Sequence, residues 1–144
     1  MYIKMAFILL LFLSSARADC WQYAGGMFNI SPELLYAIAQ QESSLDPNAV
    51  GRNLNGSEDF GLMQINSQHL PRLKKLGVNK EPLRAPCISI IVGASILSDM
   101  MKYYGYSWEA VGAYNAGIAP DRRDKRMRYA EKVSLRYKKI IKVN

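Results

Sequence analysis

The sequence is poor in metal ligands and in linker-like segments. It has two cysteines and a single histidine, His69. These residues are too few for the four-ligand cage of a structural zinc site, so we predict neither a metal nor another cofactor. His69 lies in a polar stretch, which favours a surface position over a catalytic one. Internal repeats and linkers rich in Pro, Gly or Ser are also missing, so the sequence does not indicate a second folded domain.

The sequence also lacks an apolar run long enough to span a bilayer. The run from Met5 to Leu13 has nine residues, follows Lys4 and precedes an A-x-A cleavage pattern at Ala16-Arg17-Ala18. No stop-transfer signal follows it. A lipoprotein is excluded because Asp19 occupies a position where a lipobox needs a small uncharged residue. We therefore predict a signal peptide over residues 1–18, cleaved after Ala18, and export to the periplasm.

Export changes the interpretation of the two cysteines. Cys20 and Cys87 both lie in the predicted mature domain, residues 19–144. In an oxidising compartment such a pair usually forms a disulfide, which would contribute roughly 2–4 kcal/mol in chain-entropy models. Two buried thiols are the alternative. The sequence favours the disulfide.

Positive charge is concentrated near the C-terminus. The chain carries a net charge of +7, and loss of Lys4 and Arg17 with the leader leaves +5. Residues 121–142 contain ten Lys or Arg against three Asp or Glu. Such an excess in an intracellular protein would favour nucleic acid. In an exported chain, an anionic wall polymer, a membrane surface or an acidic partner fits better, so we predict no nucleic-acid binding.

Helical patterns dominate the mature chain. Ser31 is a good N-cap and Pro32 suits the first helical position, which predicts a helix that ends near Glu42 or Ser43. A turn-rich stretch over residues 48–60, with Asn55-Gly56 as its turn signal, predicts a small β-hairpin. A short helix near Cys20 should weaken at Gly25-Gly26. Further helices are predicted over residues 67–76, 87–104, 107–115 and 124–142.

Two packing details of these helices are also expected. Gly93-Ala94 leaves room for a close neighbouring helix. The last helix places Ala130, Val133, Tyr137 and Ile140 on one face and its basic residues on the other.

The end of the helix after Ser31 carries a carboxylate on its apolar face. Leu35, Ile38 and Glu42 are spaced by three and four residues and share that face. Burial there would favour the neutral carboxyl and raise its pKa, as a general acid requires. From this stretch alone, a capping or ion-pairing glutamate is the commoner explanation.

Three further stretches change that interpretation. Together with Glu42-Ser43-Ser44-Leu45-Asp46-Pro47 they are Gly61-Leu62-Met63-Gln64-Ile65-Asn66, Ala113-Tyr114-Asn115-Ala116-Gly117 and the weaker Tyr129 to Val133. In this order, behind a signal peptide, they closely resemble the soluble lytic transglycosylases, enzymes of goose-lysozyme-like fold that cleave peptidoglycan. The resemblance covers nearly the whole mature chain. Similar small exported members accompany conjugation, type IV pilus and type III secretion machines.

The resemblance implies a mainly α, lysozyme-like single domain with at most a small hairpin, acting as a monomer on peptidoglycan glycan strands without inserting into the membrane. It implies that Glu42 is the only catalytic carboxylate, acting first as acid and then as base to leave a 1,6-anhydromuramic end. Leu62, Met63 and Tyr114 are expected to line an apolar cleft that keeps water out. Substrate contacts are expected from Ser44, Met63, Gln64, Tyr114, Asn115 and Tyr129.

Asp59 leaves an alternative open. In c-type lysozymes, a second carboxylate lies on the hairpin after the catalytic helix, and Asp59 lies in the corresponding loop of this sequence. With Asp59 as second carboxylate, the enzyme would be a muramidase that yields reducing ends. A solvated loop acid is the simpler explanation. A third possibility is a non-catalytic peptidoglycan-binding assembly factor, which the intact Glu42 disfavours.

Overall fold

The structure is a computed structural model that describes residues 20–143, so the predicted signal peptide lies outside the described residues. Within them, six α-helices pack with one small antiparallel sheet, which confirms a mainly α architecture. None of the described helices is both long enough and apolar enough to traverse a bilayer. The helices are α1 (20–28), α2 (Pro32–Ser43), α3 (Leu70–Lys75), α4 (Pro86–Tyr104), α5 (Trp108–Ala116) and α6 (Arg123–Val143). The strands are β1 (Val50–Arg52), β2 (Glu58–Phe60) and β3 (Ile65–Asn66), and 3-10 turns cover Ser67–His69, Glu81–Arg84 and Pro120–Arg122.

Helix α2 begins and ends where the sequence predicts. The Ser31 hydroxyl accepts a hydrogen bond from the Leu34 amide at 3.3 Å, and Pro32 is the first helical residue. Leu35 and Ile38 are fully buried. After Ser43 the backbone enters the left-handed region at Ser44 (φ 52°), which ends the helix directly behind Glu42.

The sheet follows α2 and has one strand more than the predicted hairpin. Strand β2 pairs with β1 on one side and β3 on the other, and Asp59 lies opposite both Gly51 and Asn66. Strand β3 has only two residues, too few to show the alternation that identifies a strand in a sequence.

The N-terminal helix α1 is longer than predicted. It continues through Gly25-Gly26, where the sequence predicted weakening. Ala24 is fully buried, and the predicted disulfide between Cys20 and Cys87 is present and joins α1 to α4. Tertiary contacts of this kind outweigh the poor helix propensity of glycine.

Two details of packing differ from the sequence predictions. Gly93 of α4 was expected to admit a neighbouring helix, but it faces the side chain of Met63, and a Cβ at Gly93 would lie 2.8 Å from Met63 Cε. Helix α6 buries Ala130 and Val133 as predicted. Its basic residues were all expected on the opposite, exposed face, which is wrong for Arg126, since that residue is 3% exposed.

Candidate active site

The candidate site is centred on the carboxylate at the end of α2. The Tyr129 hydroxyl, carried by α6, donates a hydrogen bond of 2.5 Å to Glu42 Oε1. Glu42 is half-buried, and Tyr129 is 7% exposed. The contact joins two of the four stretches picked out in the sequence, across 87 residues of chain.

The surroundings of Glu42 favour its protonated form. Burial is the largest cause and raises its pKa from an ordinary 4.5 to about 7. The hydrogen bond from Tyr129 opposes this rise by stabilising the carboxylate, while the charge of Asp59 adds to it. The C-terminal end of a helix also repels negative charge. Near neutral pH, Glu42 is therefore poised between donating and accepting a proton.

The turn between β2 and β3 is fastened to three helices through its backbone. Ser43 Oγ donates to the Leu62 carbonyl at 2.7 Å, and Tyr114 donates to the Met63 carbonyl at 2.6 Å. The Met63 amide donates to Ser89 Oγ at 3.0 Å. Residues of α2, α4 and α5 therefore hold this turn beside Glu42, which brings the first three sequence stretches to one place.

The side chains of this turn do not form the expected apolar cleft. Leu62 is 6% exposed and Met63 is not exposed at all. The expectation that both line an open cleft is therefore wrong, because both belong to the core. The Met63 side chain packs against Gly93, and its backbone carbonyl accepts the hydrogen bond from Tyr114.

Gln64 is held in a fixed orientation. It has a left-handed backbone (φ 51°), and Nε2 donates to the carbonyls of Ala49 and Gly61 at 3.1 and 2.9 Å. Both amide protons are therefore used inside the protein. The Oε1 acceptor lies beside Gly51, where an added Cβ would be 2.9 Å away.

The two tyrosines of the site remain protonated donors. Burial, and then the nearby Glu42 charge, raise the pKa of Tyr114 and of Tyr129 well above the ordinary value. Their hydroxyl protons therefore stay in place at neutral pH. Tyr129 contacts the acid itself, whereas Tyr114 contacts the turn next to it.

Asp59 lies on β2 in a polar environment. Its two carboxylate oxygens each accept one amide hydrogen bond, from Asn66 Nδ2 at 2.8 Å and from Asn53 Nδ2 at 3.0 Å. Its charge also raises the pKa of both Glu42 and Tyr114, so it lies within electrostatic reach of the site. The structure thus brings Asp59 near Glu42.

Ser44 and Asn115 are both exposed residues close in sequence to Glu42 and Tyr114. Ser44 is exposed and ends α2, with its amide donating to the Gln40 carbonyl at 3.1 Å. Asn115 is exposed next to Tyr114, near the end of α5. Across residues 20–143, no group of three or more His, Cys, Asp or Glu side chains is arranged to hold a metal ion.

Arg126 is a buried supporting residue that the sequence analysis missed. Its guanidinium donates to Glu109 Oε1 at 3.0 and 3.2 Å and to the carbonyls of Gly117 and Ala119 at 3.2 and 2.8 Å. Its own carbonyl packs so closely on Gly112 that a Cβ there would clash. Arg126 lies one turn before Tyr129, so this cluster fixes the part of α6 that presents the tyrosine. The i, i+3 spacing to Tyr129 was the available sequence signal.

Comparisons with known proteins agree with this arrangement. The model of the transglycosylase SLT domain matches residues 19–136. Invasion protein IagB of Salmonella typhimurium (strain SL1344) is 62% identical over 140 residues, covering 96% of this chain and 88% of IagB. Protein IpgF of Shigella flexneri is 47% identical over 139 residues, covering 95% of this chain and 91% of IpgF.

A solved structure supports the fold. An inactive mutant of the lytic transglycosylase Slt from Pseudomonas aeruginosa is similar with a TM-score of 0.66 over 83% of this chain and 23% of that longer chain. At 23% identity the likeness speaks for the fold alone, and it confirms the predicted lysozyme-like class. The domain match and the two close relatives go further. The chain belongs to the transglycosylase SLT domain family.

Proposed function

We propose that this protein is a peptidoglycan lytic transglycosylase with Glu42 as its acid and base. The observation that carries the proposal is the Glu42–Tyr129 pair. A carboxyl with a pKa of about 7, held by a single tyrosine hydroxyl, suits a group that must first give up a proton and then take one back.

The first step is cleavage of the bond between N-acetylmuramic acid and N-acetylglucosamine. Protonated Glu42 donates its proton to the glycosidic oxygen, and the bond from that oxygen to the anomeric carbon breaks. The substrate's own 2-acetamido oxygen stabilises the positive charge that develops at the anomeric carbon. This participation takes the place of the second carboxylate that most glycosidases use.

The second step closes the sugar on itself. The Glu42 carboxylate, stabilised by the hydrogen bond from Tyr129, accepts the proton of the muramic 6-hydroxyl. The 6-oxygen then bonds to the anomeric carbon, which gives a 1,6-anhydromuramic end and restores protonated Glu42. No water molecule is consumed, so a hydroxyl of the substrate must reach the anomeric carbon before water does.

Substrate contacts complete the proposal. Gln64 Oε1 would accept a hydrogen bond from an acetamido N–H, and the exposed Asn115 and Ser44 would meet sugar hydroxyls at the rim. Tyr114 would act mainly by holding the Met63 carbonyl and the turn around it. The glycan strand would lie between the end of α2 and the sheet that carries Asp59.

We further infer periplasmic export through residues 1–18 and a role in opening the wall locally for a secretion, pilus or conjugation machine. The support is the leader pattern of the sequence and the similarity to IagB, which is named as an invasion protein.

Asp59 supports a second candidate function. Because its charge reaches Glu42, it could act as the second carboxylate of a muramidase and activate a water molecule.

Mass spectrometry of purified sacculi digested with the wild type, Glu42→Gln and Asp59→Asn separates the two reactions. We expect anhydromuramic ends from the wild type and from Asp59→Asn, and neither product from Glu42→Gln. Hydrated reducing ends as the main product would refute the transglycosylase reaction in favour of the muramidase. Cleavage that persists in Glu42→Gln would refute the role of Glu42.

A further inference from the structure

A groove separate from Glu42 runs between α2 and the C-terminal half of α6. It has a volume of about 800 Å³ and is open to solvent. Gln40 and Gln41 of α2 form one wall. The other wall belongs to α6 and consists of Lys132, Leu135, Arg136, Lys139, Ile140 and Val143.

The α6 wall is one continuous helical face. Its six residues follow one another at steps of three, one, three, one and three. This spacing keeps them on one side of the helix over about 16 Å, or three turns. Leu135 is 55% exposed and Val143 87% exposed, although both are large apolar residues. An exposed apolar stripe with this spacing is the kind of surface that receives a partner helix.

Positive charge lies along the same stripe. Lys132, Arg136 and Lys139 form no ion pair with any of the residues from 20 to 143. Arg136 Nε donates to Gln41 Oε1 at 2.9 Å, which ties its guanidinium to the wall of the groove. Arg126 on the same helix differs, because Glu109 neutralises it inside the protein. The groove therefore presents three uncompensated cations beside apolar side chains.

We propose that this groove docks an acidic amphipathic helix of a partner protein. Glu or Asp at successive turns of that helix would pair with the three cations, and its apolar residues would pack on Leu135, Ile140 and Val143. A lipid surface fits less well because the site is concave and has a wall of two glutamine amides. A short wall peptide fits less well because it would cover only part of the stripe.

The groove is placed to bring such a partner close to the reaction. Gln41 directly precedes Glu42, and Lys132 lies one turn beyond Tyr129. The docked helix would therefore rest on the same two helices that carry the acid and its hydrogen-bond donor. Docking would confine wall cleavage to the partner's location, without any contact to the reacting sugar.

Fluorescence anisotropy with designed peptides tests the docking. The probe is a labelled helical peptide of about 16 residues, long enough to cover the stripe, with Glu at every turn on one face and Leu beside it. A scrambled peptide of the same composition is its control. The groove variant is Lys132→Glu with Arg136→Glu and Lys139→Glu. The matched variant, Lys125→Glu with Lys138→Glu and Lys142→Glu, has the same net charge but leaves the groove unchanged.

The result expected is a selective loss of binding. The amphipathic peptide should bind the wild type at least about tenfold more tightly than the scrambled one, and the groove variant should lose about tenfold while the matched variant loses less than about threefold. Leu135→Asp, a single change at an exposed position, should also weaken binding, and none of the variants should slow the cleavage of sacculi.

Equal losses in the two triple variants, or equal binding of the two peptides, would overturn the proposal. A groove variant that keeps the peptide but loses binding to purified sacculi or to anionic vesicles would overturn it in favour of a wall or membrane surface.

Discussion

The two carboxylates near the candidate site lie in opposite environments. Glu42 ends an apolar helix, is half-buried and receives one hydrogen bond, from Tyr129. Asp59 lies on a strand, and each of its oxygens receives an asparagine amide. Burial raises the pKa of Glu42 to about 7. The same functional group is thus partly buried, with a raised pKa, on the helix, and is hydrogen-bonded to two amides on the sheet.

The proposed mechanism needs one carboxylate that serves as both acid and base, and the surroundings of Glu42 fit that need. Burial alone would hold Glu42 protonated and make it a poor base afterwards. The hydroxyl of Tyr129 favours the ionised form and offsets part of that effect, while the charge of Asp59 acts in the other direction. The balance of these three influences keeps the pKa of Glu42 near neutrality, and each of the two side chains can be removed separately.

Replacing the acid itself should have the largest effect. Glu42→Gln keeps the shape of the side chain but has no proton to give, so cleavage of sacculi should fall by about a thousandfold or more. Turbidity loss of purified sacculi measures the rate, and circular dichroism confirms the fold. Asp59→Asn is the matched carboxylate-to-amide control. An equal loss in both variants would contradict the distinction between the two carboxylates.

Removing Arg126 should destabilise the part of α6 that presents Tyr129 to Glu42, and so lower both stability and activity. Arg126→Met removes the donor to the half-buried Glu109 and to the carbonyls of Gly117 and Ala119, and the loss of donors to such acceptors costs about 1–3 kcal/mol. Thermal unfolding should show a marked drop in melting temperature, and kcat should fall more than KM rises because Tyr129 loses its position. Arg123→Met, whose side chain is exposed and lies 3.9 Å from the same Glu109, is the control and should change little. An unchanged melting temperature in Arg126→Met would refute this role.

Removing the tyrosine hydroxyl should shift the pH profile upward. Tyr129→Phe deletes the hydrogen bond that stabilises the Glu42 carboxylate, so the pKa of Glu42 should rise above 7. Because the protonated form starts the reaction, activity falls as pH rises through this pKa, and that falling limb should move to higher pH. The maximal rate should drop about tenfold, since the base form loses the hydrogen bond from Tyr129. A falling limb that moves to lower pH in Tyr129→Phe would contradict the claim that the Tyr129 hydroxyl lowers the pKa of Glu42.

Neutralising Asp59 should shift the pH profile of activity to lower pH, opposite to the shift in Tyr129→Phe. Of the four changes it should reduce the rate least. Asp59→Asn removes a negative charge that raises the pKa of Glu42, so the falling limb should move to lower pH. The maximal rate should fall less than tenfold, which corresponds to less than about 1.4 kcal/mol. pH profiles recorded on sacculi at constant ionic strength measure both shifts. A thousandfold loss would instead make Asp59 a catalytic group.

Much of the local structure followed from short-range chemistry. Ser31 and Pro32 predicted the start of α2, and Asn55-Gly56 predicted the hairpin whose strands carry Asp59. The pair of cysteines in an exported chain predicted the disulfide. The cap and turn signals depend only on neighbouring residues, and the disulfide prediction depends only on export to an oxidising compartment. None of them needs knowledge of the packed structure.

Features created by packing did not follow from the sequence. Met63 stands in a family stretch, yet its side chain fills the space left by Gly93 of α4. Arg126 lies among exposed basic residues, yet it is buried because Glu109 and two carbonyls satisfy its guanidinium. Both depend on a partner distant in the chain, and neither partner has a spacing that marks it beforehand. The Glu42–Tyr129 contact is of the same kind, since the family resemblance marked both residues as site residues but did not predict the hydrogen bond between them.

The measurement that tests the account most directly is an NMR titration of the Glu42 side-chain carboxyl. With carbon-13 in the glutamate side chains, Glu42→Gln identifies its resonance as the one that disappears. We expect a midpoint of about 7 in the wild type, higher in Tyr129→Phe and lower in Asp59→Asn. A wild-type midpoint at the ordinary glutamate value of 4.5 would contradict this role of Glu42.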